Sequence, residues 1–188
     1  ESLNIPDLIK IAIIHYQFET IHPFLDGNGR VGRLLITLYL VDKGILKQPI
    51  LYLSDYFERH RSLYYDNLTR VRTHNDINQW LKFFLNGVAE TAKNGVETFD
   101  AIMQLQKNTE EKLKGAGSRS VDALKIVEEL YSVPIINNQK AEGIIGKSPN
   151  TAYKTMALLE ELNIVKEITG AQRGKLYMFT DYLEIFKR

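Results

Sequence analysis

The chain has 188 residues, of which 44% are hydrophobic and 25% charged, which is enough apolar material for an ordinary globular core. Its net charge of +1 excludes an overall field that attracts nucleic acid or membranes. It has no cysteine, which excludes disulfides and cysteine-based chemistry and fits a cytoplasmic location. No apolar run is long enough to cross a bilayer, and no signal peptide is visible. Because the chain begins at Glu1 without methionine, we expect it to be a piece of a longer protein.

The first 114 residues carry helical patterns throughout. Apolar residues recur at helical spacing over about 6–20, 29–43, 54–72 and 76–103. Pro6 suits a helix start, Gly44 a helix end and Asp76 a helix cap. The connection between the first two helices cannot be regular helix, because Pro23 and two glycines interrupt it.

The pattern changes at the glycine-rich segment 114–118, which predicts a hinge and a boundary between domains 1–114 and 115–188. Beyond it, helices are predicted at about 121–131 and 138–146, a third helix after the Ser148-Pro149 pair, and strands at about 164–169 and 175–180. Three helices followed by a hairpin predict a winged helix-turn-helix. The predicted fold class is therefore mainly α, a helical bundle followed by a small α+β winged helix-turn-helix domain.

The most informative segment is 22–33, which reads His-Pro-Phe-Leu-Asp-Gly-Asn-Gly-Arg-Val-Gly-Arg. Its glycines let a ligand approach the backbone closely, and the loop leads into a helix whose first N–H groups favour an anion. Arg30 and Arg33 add guanidinium groups that match phosphate oxygens. Asp26 suits a phosphate-bound Mg²⁺, which needs only one or two carboxylates. His22 suits proton removal from a hydroxyl, because imidazole titrates near neutrality.

Other loop types fit this segment less well. An Asp-Gly or Asn-Gly hairpin turn is flanked by alternating strands, whereas the flanks here are helical. A calcium loop beginning at Asp26 fails, since Arg30 occupies its third ligand position and Thr37 its final glutamate position. Neither G-x-x-x-x-G-K-[ST] nor a strand-based G-x-G-x-x-G occurs in the sequence.

The segment resembles the signature of the Fic family. His22-Pro23-Phe24-Leu25-Asp26-Gly27-Asn28-Gly29-Arg30 with Arg33 matches H-P-F-x-[DE]-G-N-[GK]-R-x-x-R without a departure. The similarity extends through the helical region, and the appended winged helix resembles that of longer bacterial members. The resemblance implies a protein adenylyltransferase, which moves AMP from ATP to a Ser, Thr or Tyr hydroxyl of a protein, itself included, and releases pyrophosphate. It implies ATP as co-substrate, Mg²⁺ as cofactor and a hydroxyl-bearing protein as partner.

The resemblance also assigns roles to the residues of the segment. His22 would be the general base, Asp26 would hold Mg²⁺, and the nest for phosphates would consist of Gly27, Asn28, Gly29 and Arg30. Nucleotide contacts are expected to continue through Val31 and Gly32 to Arg33, which would face the distal phosphate. Tyr65 is a candidate for the adenine pocket and Tyr64 a weaker one. The plain alternative is that one tyrosine is core and the other surface.

Two parts of the family pattern are missing. Many Fic proteins carry an inhibitory helix whose glutamate pairs with the second motif arginine, here Arg33, yet no S/T-x-x-x-E-[GN] sequence occurs. The target-docking flap lies upstream in the family and is also absent. Relatives transfer groups from UTP, CDP-choline or reversed ATP, so another transferred group stays open. A nucleotide-sensing DNA-binding regulator is the alternative from a different class.

Three residues outside the segment are interpreted structurally. His15 is expected to be a hydrogen-bonded histidine of the interior, because buried polar groups normally find partners. Trp80 and Phe84, at helical spacing, are expected in the core.

The winged helix-turn-helix leaves its partner open. A basic stripe is conceivable at its recognition helix and wing, formed by Lys147, Lys154, Arg173 and Lys175. Residues 118–188, however, contain ten basic and nine acidic residues, without the clear basic excess of a nucleic-acid-binding domain. DNA binding, protein docking and homodimer formation are therefore all open.

Overall fold

The computed structural model describes residues 5–115 and 117–187. Within them the helices are α1 (Asp7–Ile21), α2 (Asn28–Asp42), α3 (Leu53–Arg59), α4 (Arg61–His74), α5 (Ile77–Lys114), α6 (Ser120–Leu130), α7 (Asn138–Ile145), α8 (Pro149–Glu161) and α9 (Thr180–Glu184), with a 3-10 helix at Gly117–Arg119. The strands are β1 (Ile135–Asn137), β2 (Lys166–Glu167) and β3 (Leu176–Met178). The mainly helical fold class is thus confirmed. None of the helices in these residues combines the length and apolarity needed to cross a membrane.

The chain divides into two compact units, Glu1–Val96 and Glu97–Arg188. This division falls inside α5, whereas the sequence places the boundary at 114–118, a segment whose residue 116 lies outside the described residues. The last turns of α5 explain the difference, because Leu113 is 1% exposed and belongs to the core of the second unit. Helical periodicity indicates that α5 is one helix, but it does not indicate the residue at which α5 passes from the core of the first unit to that of the second.

The first unit buries an aromatic core between α1 and α5. Trp80 and Phe84 are fully buried, as the sequence predicts, and the indole Nε1 of Trp80 donates a hydrogen bond to the Ala12 carbonyl at 2.9 Å. Asp76 caps α5, since its Oδ1 accepts a hydrogen bond from the Gln79 N–H at 3.2 Å. These contacts hold α1 against the long helix.

The predicted third helix is in fact two helices. His60 lies between α3 and α4 with φ −111° and ψ 34°, which interrupts the helical backbone. Its ring stands edge-on to Tyr56, with 4.5 Å between the ring centroids. Apolar periodicity continues across this residue, so the break has no signal in the sequence pattern.

The second unit has the element order of a winged helix-turn-helix. Helices α6, α7 and α8 pack together, and the strands form an antiparallel sheet in the order β1-β3-β2, with Ile136 opposite Tyr177. The sequence missed β1, which at three residues is too short to show alternation. The strand that the sequence predicts at 175–180 corresponds to β3, which ends at Met178, and Thr180 is already the first residue of α9.

Two glycines of α5 predict opposite responses to alanine. A methyl group at Gly87 would lie 2.6 Å from Cδ1 of the buried Tyr56 ring, whereas nothing lies within 4 Å of one at Gly95. We expect Gly95→Ala to raise the free energy of unfolding by roughly 0.5–1 kcal/mol through helix propensity. We expect Gly87→Ala to lower it by about 1–3 kcal/mol through overpacking. Denaturant titrations followed by the fluorescence of Trp80, the single tryptophan, measure both, and equal stabilisation by the two changes contradicts the packing around Tyr56.

Candidate active site

The segment between α1 and α2 is held by its own backbone geometry. His22 ends α1 in the left-handed conformation, with φ 51°, and its N–H still donates to the Phe18 carbonyl at 3.0 Å. Gly27 starts α2 with φ 83°, a conformation that side chains disfavour. These two turns carry the loop away from the helix axis and leave the His22 side chain exposed.

The side chain of Asn28 closes this loop. Its Oδ1 accepts a hydrogen bond from the Phe24 N–H at 2.9 Å, and its Nδ2 donates to the Phe24 carbonyl at 2.5 Å. Asn28 is 2% exposed, so its amide fixes the loop and is not free for a ligand. The asparagine of the motif is therefore a structural residue through its side chain.

Donors for an anion converge at the start of α2. The first intrahelical bond runs from the Val31 N–H to the Gly27 carbonyl at 3.0 Å, so the N–H groups of residues 28–30 are left for another acceptor. The guanidinium groups lie over the glycines: Nη2 of Arg30 is 3.3 Å from the position of a Cβ at Gly27, and Nη1 of Arg33 is 3.3 Å from that at Gly29. Backbone dipoles and two cations thus face one place.

A pocket of about 350 Å³ opens at this point. Its lining contains eight of the predicted site residues, namely His22, Asp26, Gly27, Asn28, Gly29, Arg30, Arg33 and Tyr65. It also contains Leu25, Glu58 and Arg61, which the sequence analysis did not select. The His22 imidazole, the Asp26 carboxylate, the anion donors of α2 and the Tyr65 ring therefore share one cavity.

Val31 and Gly32 do not line this pocket, and nucleotide contacts at these two residues stay a prediction. Gly32 is buried under α1, and a methyl group on it would lie 2.5 Å from Oε1 of Glu19 and 3.2 Å from Cε1 of His15. The helical period puts Arg30 and Arg33 on one face and turns the residues between them away. Gly32 serves the close approach of two helices.

Glu58 and Arg61 add charges at the far side of the pocket. Nη1 of Arg61 lies 3.6 Å from Oε1 of Glu58, and the guanidinium carbon is 5.9 Å from the centroid of the Tyr65 ring. Arg61 and Tyr65 stand four residues apart on α4, which places them on one helix face. The spacing of four residues could have linked Arg61 to Tyr65 in the sequence. With one continuous helix predicted over 54–72, however, nothing indicated that the side of α4 with these two residues faces the loop between α1 and α2.

Asp26 is suited to a hard cation. Its Oδ1 accepts the Gly27 N–H at 2.7 Å, and its side chain is 92% exposed with Oδ2 3.4 Å from Nη2 of Arg30. The described residues contain no group of three or more potential metal-ligating side chains. A divalent ion at Asp26 therefore depends on phosphate oxygens and water for its other ligands, as phosphate-bound Mg²⁺ does.

Comparison with known proteins identifies this region. Residues 2–40, which contain the whole loop and most of α2, match the model of the Fic/DOC family. Residues 2–40 are therefore similar to that family. The winged helix-turn-helix unit lies outside the matched residues.

Relatives with curated names match part of the chain. A probable protein adenylyltransferase of Aquifex aeolicus is 58% identical over 41 residues, which are 21% of this chain and 13% of the relative. The protein adenylyltransferase fic-1 of Caenorhabditis elegans is 38% identical over 71 residues, 38% of this chain and 14% of the relative. A crystal structure of a Fic family protein from Desulfovibrio desulfuricans has a TM-score of 0.49 and 21% identity, over 95% of this chain and 50% of that one. The matches thus span a small part of the curated relatives' length.

His15 links the helix before the loop, α1, to α2 and α4. It is fully buried, its Nδ1 donates to the Gly32 carbonyl at 3.0 Å, and its Nε2 accepts from the Tyr64 hydroxyl at 3.0 Å. The carbonyl can only accept, so Nδ1 carries a proton, and with the pKa lowered by burial the imidazole is neutral near pH 7, which leaves Nε2 as an acceptor. Burial lowers the pKa of His15 to about 4 and raises the pKa of Tyr64 above its usual value. The predictions of an interior histidine and of one core tyrosine beside a surface one are confirmed.

Glu19 is a carboxylate on α1 beside Gly32 of α2, and the sequence did not indicate it. Its Oε1 is buried with no hydrogen-bond partner among the residues described. Burial raises the pKa of Glu19, while the charges of His22 and Arg33 oppose that rise. Glu19 lies one helical turn before His22, outside the signature, so no motif indicated it.

The buried His15 predicts acid sensitivity of the first unit. Its pKa of about 4 lies below the unfolded value of 6.5, so between these pH values the unfolded chain binds a proton that the folded unit excludes. We expect the free energy of unfolding to fall by up to about 3 kcal/mol as the pH drops from 6.5 to 4. The measurement is a series of denaturant titrations followed by Trp80 fluorescence. His15→Gln should flatten this part of the pH profile and the exposed His74→Ala should not; equal profiles for all three chains contradict the assignment.

Proposed function

We propose that the complete protein containing this chain is a protein adenylyltransferase that moves AMP from ATP to a protein hydroxyl and releases pyrophosphate. The observation that carries the proposal is the shared pocket, in which His22 faces the same 350 Å³ as Arg30 and Arg33 at the start of α2. A base beside a triphosphate site is required for transfer to a hydroxyl, whereas binding alone needs no base. The curated relatives are named a probable protein adenylyltransferase and a protein adenylyltransferase, which supports this reaction.

In the proposed reaction the hydroxyl oxygen of a Ser, Thr or Tyr side chain attacks the α-phosphorus of ATP. Its proton passes to His22, the bond from the α-phosphorus to the bridging oxygen breaks, and pyrophosphate leaves. The N–H groups at residues 28–30, with Arg30 and Arg33, hold the phosphates in place. Bound Mg²⁺, held by Asp26, would neutralise part of the phosphate charge.

The remaining pocket residues suit the nucleoside. The exposed Tyr65 ring offers a face for adenine, and the Arg61 guanidinium lies beside that ring. Glu58 pairs with Arg61 and limits its movement. Three arginines against two carboxylates leave the pocket with an excess of positive charge, which favours a polyanion.

Transfer from labelled ATP tests the reaction. The complete protein is incubated with Mg²⁺ and ATP labelled at either the α- or the γ-phosphate, and label on protein is measured. We expect label from the α-phosphate only, and a decrease of about a hundredfold or more in His22→Ala, since general bases contribute 10²–10⁴-fold. The exposed His74 is the matched control, and His74→Ala should retain transfer.

Two results would contradict the proposal. Label from the γ-phosphate alone indicates phosphoryl transfer, and equal labelling with His22→Ala excludes His22 as the base. Repeating the assay with α-labelled UTP and labelled CDP-choline distinguishes AMP from another transferred group. ATP binding without transfer from any of these donors favours a nucleotide sensor.

Arg61 predicts a separate effect on nucleotide affinity. Removing a charge-assisted contact costs about 1.5–3 kcal/mol, so Arg61→Ala should raise the KM for ATP about tenfold or more with a smaller change in kcat. Arg72→Ala is the control, because Arg72 is exposed on the same helix and does not line the pocket. Initial rates over a range of ATP concentrations measure both. An unchanged KM in Arg61→Ala removes Arg61 from the nucleotide site.

A further inference from the structure

The charges of the second unit are unevenly distributed, although their sum is close to zero. None of the nine acidic residues of 118–188 lies within 143–159 or 168–180. These two segments contain the α7–α8 turn with most of α8 and the β2–β3 hairpin with β3. They nevertheless carry four of the ten basic residues. The near-neutral total therefore conceals two segments that contain no acidic residue.

The start of α8 presents polar and cationic side chains to solvent. Asn150, Tyr153 and Lys154 are all exposed, with half of the Tyr153 side chain accessible. The acidic residues of α8, Glu160 and Glu161, lie in its last turn, at the opposite end. Amide, phenol and ammonium groups on the first turns of a recognition helix are the donors and acceptors that contact base edges and phosphates in a major groove.

The β2–β3 hairpin carries two further cations. Arg173 is exposed at its tip, and Lys175 is half-buried near the carboxylate of Glu167. Lys154 and Arg173 have no ion pair within the described part of the chain. Their charges are thus available to a partner.

Lys147 has a different role from the one considered in the sequence analysis. Its Nζ lies 2.6 Å from Oδ2 of Asp122, whose side chain is 5% exposed. An ion pair with a buried carboxylate fixes the turn between α7 and α8 to α6. Lys147 therefore orients the recognition helix and is not counted among the available cations.

We propose that the second unit binds duplex DNA, with the first turns of α8 in the major groove and the β2–β3 hairpin against the backbone. Arg173, Lys154 and Lys175 contact phosphates, and Asn150 with Tyr153 faces the bases. Phosphates bind cations, and both Lys154 and Arg173 are exposed without an ion pair in the described residues. The proposal does not depend on the proposed nucleotidyl transfer.

The number of cations predicts the salt dependence. Three phosphate contacts give a slope of log K against log salt of about −3, with non-specific dissociation constants of about 10⁻⁶–10⁻⁴ M. The 188-residue chain is titrated into a fluorescein-labelled mixed-sequence duplex of about 20 base pairs, and anisotropy is followed at several salt concentrations. The combined Lys154→Glu and Arg173→Glu change should weaken binding at least about tenfold and reduce the slope by about two.

A charge-matched double variant is the control. Lys107 on α5 and Lys125 on α6 are exposed and outside both segments, and their reversal to glutamate changes the net charge equally. We expect this variant to bind nearly as the parent chain does, and circular dichroism melts establish that all variants are folded. Equal weakening by the two double variants, an unchanged salt slope, or no binding at about 50 mM salt overturns the proposal.

Discussion

The two hydrogen bonds of His15 hold the first unit together at the point where its helices meet. One imidazole on α1 binds the backbone of α2 through Gly32 and the side chain of Tyr64 on α4. The ring also stacks on Trp80 of α5, with centroids 5.9 Å apart. Only a neutral imidazole can donate to a carbonyl and accept from a hydroxyl at once, so the protonation state and the geometry support each other.

The pocket depends on this arrangement because most of its lining comes from α1, α2, the loop between them and α4. His22 ends α1, Arg30 and Arg33 lie in the first turns of α2, and Tyr65 follows Tyr64 on α4. The hydrogen bond from His15 to the Gly32 carbonyl fixes the start of α2. The hydrogen bond between His15 and Tyr64 fixes α4, on which the next residue, Tyr65, lines the pocket. The core histidine is therefore a positioning element for a site that it does not line.

The sequence was sufficient for those parts of the protein that depend on local chemistry. The loop residues from His22 to Arg33 are adjacent in the chain, so their pocket could be predicted from spacing and glycine content alone. Glu58 and Arg61 could not, because they reach the pocket only through the break at His60, a tertiary effect without a periodic signal. The role of Gly32 in the packing of α1 on α2 could not be predicted either, because the motif gives no information on which residues of α1 approach it.

The charges of the loop are arranged for a ligand that arrives from solvent. Arg33 has no ion pair within the described residues, and Arg30 has only the 3.4 Å contact with the exposed Asp26. Both guanidinium groups rest over glycines, so a phosphate can bind them without breaking a strong pair first. Glu19, the nearby carboxylate, is turned toward Gly32 and forms no bond with either arginine. Because Glu19 is held in the interface between α1 and α2, it forms no ion pair with Arg30 or Arg33. This position of Glu19 requires a residue without a Cβ at position 32, since a methyl group there would lie 2.5 Å from Oε1 of Glu19.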